Sequence, residues 1–350
     1  MNTLFRLAFI GVDHPHGSGW RESLSELASQ VEIVAMVSGF SNSLASLEEK
    51  YSALPRFESV EALVAWGRFD GAIVCLPNNQ APEAVRQLAR AGKAILVEKP
   101  AAGNAADWEP AIDEIRRHKV AFQSGYMWRY DDGASRLKAM FRDRRFGKLI
   151  SLQLRWFTSD VQRRGPGHYL FNREISGGGF FNWLGCHWLD LLSWVTETKV
   201  KAVFARVGNL GSVEVAVEDG GSVILELEDG TQVNLVGGYW LPRWAGEASW
   251  SVYGSERWVH WKPNHPGTSG FFEIHGPQPQ FMPMDEEFAL PLDKVKGYGG
   301  RRTLDLILDW VAMARGGAPC RNTPESTLET LRVIDAIYES SRQQKLVVLG

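Results

Sequence analysis

Cysteine is scarce in this chain of 350 residues. The three present, Cys75, Cys186 and Cys320, are scattered, and no Cys-x-x-Cys pair occurs. That excludes a disulfide framework and a structural zinc site, and a reducing cytoplasm is the expected setting. No apolar run approaches the roughly 20 residues that a membrane helix needs. Leu7–Val12 is apolar, but it is too short for a signal-peptide core and runs directly into Asp13 and His14. An excess of one charge is also missing. The net charge of −3 gives no reason to expect a polyanion-binding surface, so neither nucleic acid nor membrane is an expected partner. What remains is a globular composition, 44% hydrophobic and 23% charged, sufficient for one large or two ordinary domains. Tryptophan is the exception to this plainness. Fourteen are many for the length, and a core or subunit-interface role is more common for them than stacking on sugar rings.

The segment Phe69–Pro100, FDGAIVCLPNNQAPEAVRQLARAGKAILVEKP, carries the most information. Ala72 to Leu76 is an apolar run that suits a buried strand, and Pro77-Asn78-Asn79 breaks it. Pro82 suits a first helical turn. Ala84, Val85, Leu88, Ala89 and Ala91 then recur at helical spacing up to Gly92. Ala94–Val97 is a second apolar run, which completes a βαβ unit on a parallel sheet. Functional residues of such sheets lie at the carboxyl ends of strands, where Glu98-Lys99-Pro100 falls. Lys99 is therefore a candidate for chemistry, and a surface lysine closing a strand is the equal alternative.

Strand and helix signals alternate from Leu7 to Gln123, with helical stretches expected at 44–51 and 60–66, as in an open doubly wound sheet. From Leu149 the texture changes to period-two strands, with hairpin signals at Asp229-Gly230 and Gly254-Ser255. One helical stripe interrupts them at Leu184, Trp188, Leu191, Leu192 and Val195, and two amphipathic helices follow at 304–314 and 328–338. The expected fold is α/β: an N-terminal Rossmann domain at 1–123, and at 124–350 an α/β domain with a large open, mainly antiparallel sheet. That second domain serves substrate and oligomerisation, and its last helices are free to pack back on the first. Trp240, Trp244, Trp250, Trp258 and Trp261 cluster in the late strands, and the sheet face they suggest is expected to be buried in a homodimer or homotetramer.

The first loop reads Gly11-Val12-Asp13-His14-Pro15-His16-Gly17. Only the first glycine of G-x-G-x-x-G is in place, and Gly17 comes one residue late. An anionic Asp13 is unfavourable near a pyrophosphate unless it points away. At the end of the second strand, where an acid usually binds the NAD ribose, the chain has Ser38, Gly39, Ser41 and Asn42. The missing acid leans slightly toward NADP. His14 and His16 also fit a metal-dependent hydrolase, completed by His187 and Asp190, although solvated loop histidines or phosphate donors account for the pair more simply.

With Glu98-Lys99-Pro100 placed on this sheet, the chain resembles the Gfo/Idh/MocA oxidoreductases, which include glucose–fructose oxidoreductase and inositol dehydrogenase. The segments that carry the resemblance are the Pro77-Asn78 turn, AGKAILVEKP, SGYMWRYD at 124–131, RFGKLI at 145–150, SGGG at 176–179, GCHWLD at 185–190 and VEDGGSVILELEDG at 217–230. The resemblance implies NAD(P)-dependent hydride transfer to or from a sugar, cyclitol or related hydroxyl. It implies Lys99 and His187 as catalytic residues, with Gly11, Val12, His14, His16, Ser38, Leu76, Pro77, Asn78, Glu98 and Lys99 around the cofactor. Arg129, Trp183 and Asp190 fall on the substrate side, and no metal is implied. Two positions depart from the family pattern. Trp183 stands where an aspartate is frequent, four residues before His187, and Ala81 stands where a histidine is frequent. These departures, with the degenerate first loop, keep open a non-catalytic relative that binds a nucleotide or sugar as a sensor.

Overall fold

The computed structural model describes residues 3–40, 50–211, 213–277 and 286–350. The chain divides into two compact units, one of residues 1–130 with 294–328 and the other of 131–293 with 329–350. The sequence pattern alone places a single division at 123/124.

The first unit holds a six-stranded parallel sheet: β1 (Phe5–Ile10), β2 (Val31–Val37), β3 (Arg56–Phe57), β4 (Gly71–Val74), β5 (Ala94–Val97) and β6 (Phe122–Ser124). Its order, β3-β2-β1-β4-β5-β6, is that of a dinucleotide-binding sheet, with the switch point between β1 and β4. Every residue of β4 and β5 is buried, which is why both read as unbroken apolar runs rather than as alternation. Helices α1 (Gly17–Glu26), α2 (Val60–Trp66), α3 (Ala81–Arg90) and α4 (Ala105–His118) connect the strands. In α3 the buried stripe is Ala81, Pro82, Ala84, Val85, Leu88 and Ala89. Of the helix expected at 44–51, only Lys50 and Tyr51 fall among the described residues, and both are helical.

A later helix, Arg301–Ala314, belongs to this same unit. Its Trp310 is fully buried and meets Phe5 edge-on at 5.2 Å. A polar network ties the end of β6 to this region. Gln123 Nε2 donates to the Tyr130 hydroxyl at 2.8 Å, the Tyr130 hydroxyl donates to Asp309, and Asn322 Nδ2 donates to Gln123 Oε1 at 2.7 Å.

The second unit holds a nine-stranded sheet in the order β14-β13-β12-β11-β7-β10-β9-β8-β15. The strands are β7 (Leu149–Ser159), β8 (Val200–Gly208), β9 (Gly220–Leu227), β10 (Gln232–Leu241), β11 (Gly246–Gly254), β12 (Trp258–Lys262), β13 (Phe271–His275), β14 (Glu286–Ala289) and β15 (Val347–Val348). Among the described residues only β7 and β10 pair in parallel; the other neighbours are antiparallel, as the period-two pattern and hairpin signals imply. Helices α5 (Asp132–Arg142) and α6 (Cys186–Thr196) belong to this unit and pack on each other. The α/β class, with a Rossmann sheet and a large mainly antiparallel sheet, is as expected.

The tryptophans do not form one cluster. Trp250 and Trp261 point inward, are fully buried, and meet Trp188 of α6 at 5.6 and 6.3 Å. Trp258 is two-fifths exposed, and Trp244, in the β10–β11 loop, is 72% exposed. Trp240 is half-buried and donates its indole N–H to Asp219 Oδ1 at 3.0 Å. Strand alternation is the reason: Trp258 and Trp261 differ by three positions and so face opposite sides of β12. Among the described residues no helix is long and apolar enough to cross a membrane.

Candidate active site

The carboxyl ends of β1, β2, β4 and β5 bring together the residues that the sequence associates with a cofactor. Gly11 follows β1 in the left-handed region, at φ +73°. A Cβ there would meet the Cys75 carbonyl oxygen at 2.2 Å, so no other residue fits without moving β4. Gly17 opens α1, and a Cβ on it would meet the Val12 carbonyl at 2.4 Å. The late glycine therefore still provides the close helix–strand approach of the fingerprint's third position, displaced by one residue. The α1 N-cap, His16, makes no side-chain capping bond, and the first turn carries no acid. That combination suits a phosphate at the helix N-terminus, so these residues fit a dinucleotide of the NAD type.

Asp13 bonds across to the end of β2. Its buried carboxylate accepts from Gly39 N–H at 2.6 Å and Phe40 N–H at 2.9 Å, at the end of β2 beside the exposed Ser38. Ser41 and Asn42 lie outside the described residues. Leu76, Pro77 and Asn78 follow β4, with Pro77 and Asn78 buried. The Pro77 carbonyl accepts from Gln80 and Ala81 N–H to start α3.

Glu98 and Lys99 end β5. The Lys99 side chain is wholly inaccessible, with Nζ 3.8 Å from Glu98 Oε1. Glu98 is buried too. It accepts from the Trp20 indole at 2.7 Å and lies 3.7 Å from His16 Nδ1. Burial alone raises its pKa, but His16, Lys99 and His14 outweigh that and hold it at about 2. Glu98 is thus an anion that anchors Trp20 and faces Lys99 Nζ. His16 stacks on Tyr298 at 4.3 Å, and the Tyr298 amide donates to the Gly19 carbonyl. Neither Trp20 nor Tyr298 carried a functional signal in the sequence.

The second group of candidates surrounds α6. Helix α6 is preceded by a π-helical turn, Phe181–Gly185, a form often found at functional sites. His187 is buried and stacks on Trp156 at 5.8 Å, and Asp190 is buried three residues on. Trp183 is buried and packs edge-on against Tyr169 at 5.7 Å. The segment rich in arginine and aromatics at 163–173 thus supplies a neighbour to Trp183 within its own unit.

Glu218, which the sequence pattern did not single out, fixes the start of this helix. Its carboxylate accepts from Gly179 N–H at 2.8 Å, Phe181 N–H at 3.0 Å and the Tyr338 hydroxyl at 2.8 Å. Burial raises its pKa, and those same hydrogen bonds oppose the rise. A Cβ on Gly179 would meet the Glu218 carbonyl at 1.8 Å, which explains the glycine run. Arg129 lies in a 3₁₀ turn after β6. Its Nη1 donates to the Arg321 carbonyl at 2.7 Å, and Arg321 Nη1 donates back to the Arg129 carbonyl at 2.7 Å.

The geometry gives the metal reading of His14 and His16 no support. His14 Nδ1 accepts from the His16 backbone N–H at 2.9 Å, which commits that nitrogen. Among the described residues, the group of three donors close enough for a metal lies elsewhere, at His260, Glu273 and His275 on β12 and β13. There Glu273 pairs with Lys262 at 2.7 Å, and His260 Nδ1 is 2.8 Å from Ser251 Oγ.

Comparison with known proteins bears on this geometry. Residues 5–126 match the model of an oxidoreductase family with an NAD-binding Rossmann fold, and residues 134–260 match that of the GFO/IDH/MocA C-terminal domain. The chain belongs to the Gfo/Idh/MocA family. It is an oxidoreductase of that family, with an NAD-binding Rossmann domain. Over 342 residues it is 28% identical to the rhizopine catabolism protein MocA of Rhizobium meliloti, covering 96% of this chain and 95% of that one. The structure of myo-inositol 2-dehydrogenase from Lactobacillus plantarum superposes with a TM-score of 0.82 at 21% identity, covering 99% of this chain and 100% of that one. That of levoglucosan dehydrogenase in complex with NADH superposes with a TM-score of 0.85 at 14% identity, again over 99% and 100%. At such identities the Gfo/Idh/MocA structures show a shared fold.

Proposed function

We propose that this oxidoreductase transfers a hydride between a nicotinamide dinucleotide, NAD or NADP, and a hydroxyl or carbonyl carbon of a sugar, cyclitol or related small molecule. The observation that carries the reading is Lys99. It is a wholly buried lysine at the carboxyl end of a central strand, beside an ionised glutamate and the loop that suits a dinucleotide. The relatives named myo-inositol 2-dehydrogenase and levoglucosan dehydrogenase support a polyhydroxylated substrate.

The bound dinucleotide supplies the hydride acceptor or donor. The chain's own residues must then manage the hydroxyl proton and the orientation of the carbon. In the proposed mechanism Lys99 Nζ, as the neutral amine after giving a proton to solvent, takes the hydroxyl proton in oxidation, and as the ammonium it returns that proton in reduction. Glu98 holds the ammonium in place by charge, and Trp20 holds Glu98 by a hydrogen bond. His187 hydrogen-bonds or relays the same proton, on a helix whose start Glu218 secures. Trp183, Asp190 and Arg129 belong to the substrate side of the proposal, Trp183 as an aromatic wall for a ring face. Assembly into a homodimer or homotetramer completes the reading. It is supported by large apolar side chains exposed on the second unit's sheet: Ile150, Phe204, Ile224 and Trp258.

Lys99→Ala tests the proposal. Dinucleotide affinity by calorimetry is expected to stay within a few-fold of wild type, while kcat on an active sugar or cyclitol falls at least about 10²-fold, the range of lost acid–base catalysis. If wild type turns over no member of a sugar and cyclitol panel with either dinucleotide, the proposal gives way to a binding-only relative.

A further inference from the structure

The SGGG run at 176–179 and the last helix of the chain, Pro324–Gln343, lie far apart in sequence. One buried acid joins them. We propose that Tyr338 is a positioning residue for the hydride transfer: acting through Glu218, its hydroxyl fixes the turn that aims His187. The proposal rests on the reading of His187 as a partner in that reaction.

Three observations carry it. First, the turn before α6 is tied to a single residue. Three successive amides go to Glu218: Gly179 N–H to Oε2 at 2.8 Å, Phe180 N–H to the backbone carbonyl at 3.2 Å and Phe181 N–H to Oε1 at 3.0 Å. The Tyr338 hydroxyl donates to that same Oε1 at 2.8 Å, so it helps to set where the carboxylate sits. Second, the glycine run is shaped around both partners. A Cβ on Gly178 would meet the Tyr338 hydroxyl oxygen at 2.1 Å, as one on Gly179 would meet the Glu218 carbonyl at 1.8 Å. Third, the helix that carries Tyr338 is pinned in register beside it. Ser340 Oγ accepts from Ala205 N–H at 3.0 Å, and Ser341 Oγ accepts from Val207 N–H at 3.0 Å, both on β8. Tyr338 is therefore held through its own helix, independently of Glu218.

The consequence is one of orientation. Removing the hydroxyl takes away a hydrogen bond on Oε1, the oxygen that also receives Phe181 N–H. Phe181 opens the π-helical turn that runs directly into α6, and the His187 ring stacks on Trp156 at 5.8 Å. A shift of the turn moves the imidazole against Trp156, a ring held on the central strand β7. Misplacement of a reacting group by about 1 Å is enough to slow a reaction about 10²-fold.

Tyr338→Phe, which keeps the ring and removes one oxygen, tests this in the full-length protein. The first readout is NMR of histidine-labelled protein, with the His187 signals assigned through His187→Gln. The variant should move the His187 ring-proton signals, because the Trp156 ring stacks on them, and leave those of His118, at the end of α4, in place. The second readout is kinetic, with myo-inositol as the first probe and then the sugar and cyclitol panel. Expected is a fall in kcat of at least about tenfold, with KM and dinucleotide affinity within a few-fold of wild type. Gly178→Ala pushes on the same hydroxyl from the other side and should give both changes. In a Glu218→Ala background, adding Tyr338→Phe should change kcat by less than about twofold. The inference is overturned if folded Tyr338→Phe leaves the His187 signals and kcat at wild-type values, if KM rises with kcat unchanged, or if the Glu218 and Tyr338 substitutions act additively. If wild type turns over no panel member, the hydride-transfer reading fails instead, and the NMR comparison alone decides whether the hydroxyl aims His187.

Discussion

A buried acid beside a buried lysine raises the question of which charges survive burial. Desolvation disfavours an ionised carboxyl, but Glu98 is faced by His16, Lys99 and His14, which together outweigh it. Its pKa falls from the model-compound 4.5 to about 2. The native state therefore binds fewer protons than the unfolded state between those values. The stabilisation is complete above about pH 4.5 and disappears as pH falls through about 2. A shift of that size corresponds to roughly 3 kcal/mol. Glu98→Gln is expected to melt at lower temperature than wild type at pH 7, and to lose less stability than wild type between pH 5 and 3. Parallel acid limbs for the two proteins would show that Glu98 contributes no linkage. At this scale the sequence revealed Lys99 and Glu98, because they stand together at a strand end. It hid Trp20, seventy-eight residues before Glu98, and it hid Asp13's partners, because a side-chain direction is not written in spacing.

Elements were legible wherever one face dominated their composition. The α3 stripe and the fully apolar β4 and β5 follow directly from periodicity, as do the hairpins at Gly230 and Gly254. The start of α6 was not legible. Leu184 fits the apolar stripe, but a π-helical turn over Phe181–Gly185 changes the phase before the helix begins at Cys186. The distant Glu218 carboxylate holds that turn through two backbone amides. Gly179→Ala is therefore a test of the element rather than of a catalytic group. The new Cβ must displace the Glu218 backbone, at a cost of about 1–3 kcal/mol, and shift the turn that aims His187. The expected outcome is a folded protein with turnover reduced at least about tenfold and dinucleotide affinity unchanged, since Gly179 belongs to the second unit. Full turnover in a stably folded Gly179→Ala protein would separate the Glu218 clamp from catalysis.

On the scale of the whole molecule, the division at 123/124 follows the change of texture in the sequence, which leaves the last helices free to pack back on the first domain without marking which of them does. Residues 294–328 complete the first unit after the second sheet has been laid down. The helix Arg301–Ala314 buries Leu306, Ile307, Trp310 and Val311, and Asn322 bonds to Gln123 at the end of β6. Composition allows such a return but cannot assign it, because an amphipathic helix fits any apolar surface and nothing local marks which one it covers. Four such side chains at about 1.5–3 kcal/mol each contribute roughly 6–12 kcal/mol, comparable with the roughly 5–15 kcal/mol that holds a whole domain folded. Residues 1–123 alone should therefore fail to give a cooperative thermal transition. Residues 1–130 joined by a flexible linker to 294–328 should melt cooperatively and bind the dinucleotide. If the shorter fragment melts as sharply as the longer one and binds the dinucleotide equally well, the returning segment is dispensable and the first unit ends where the sequence pattern places it.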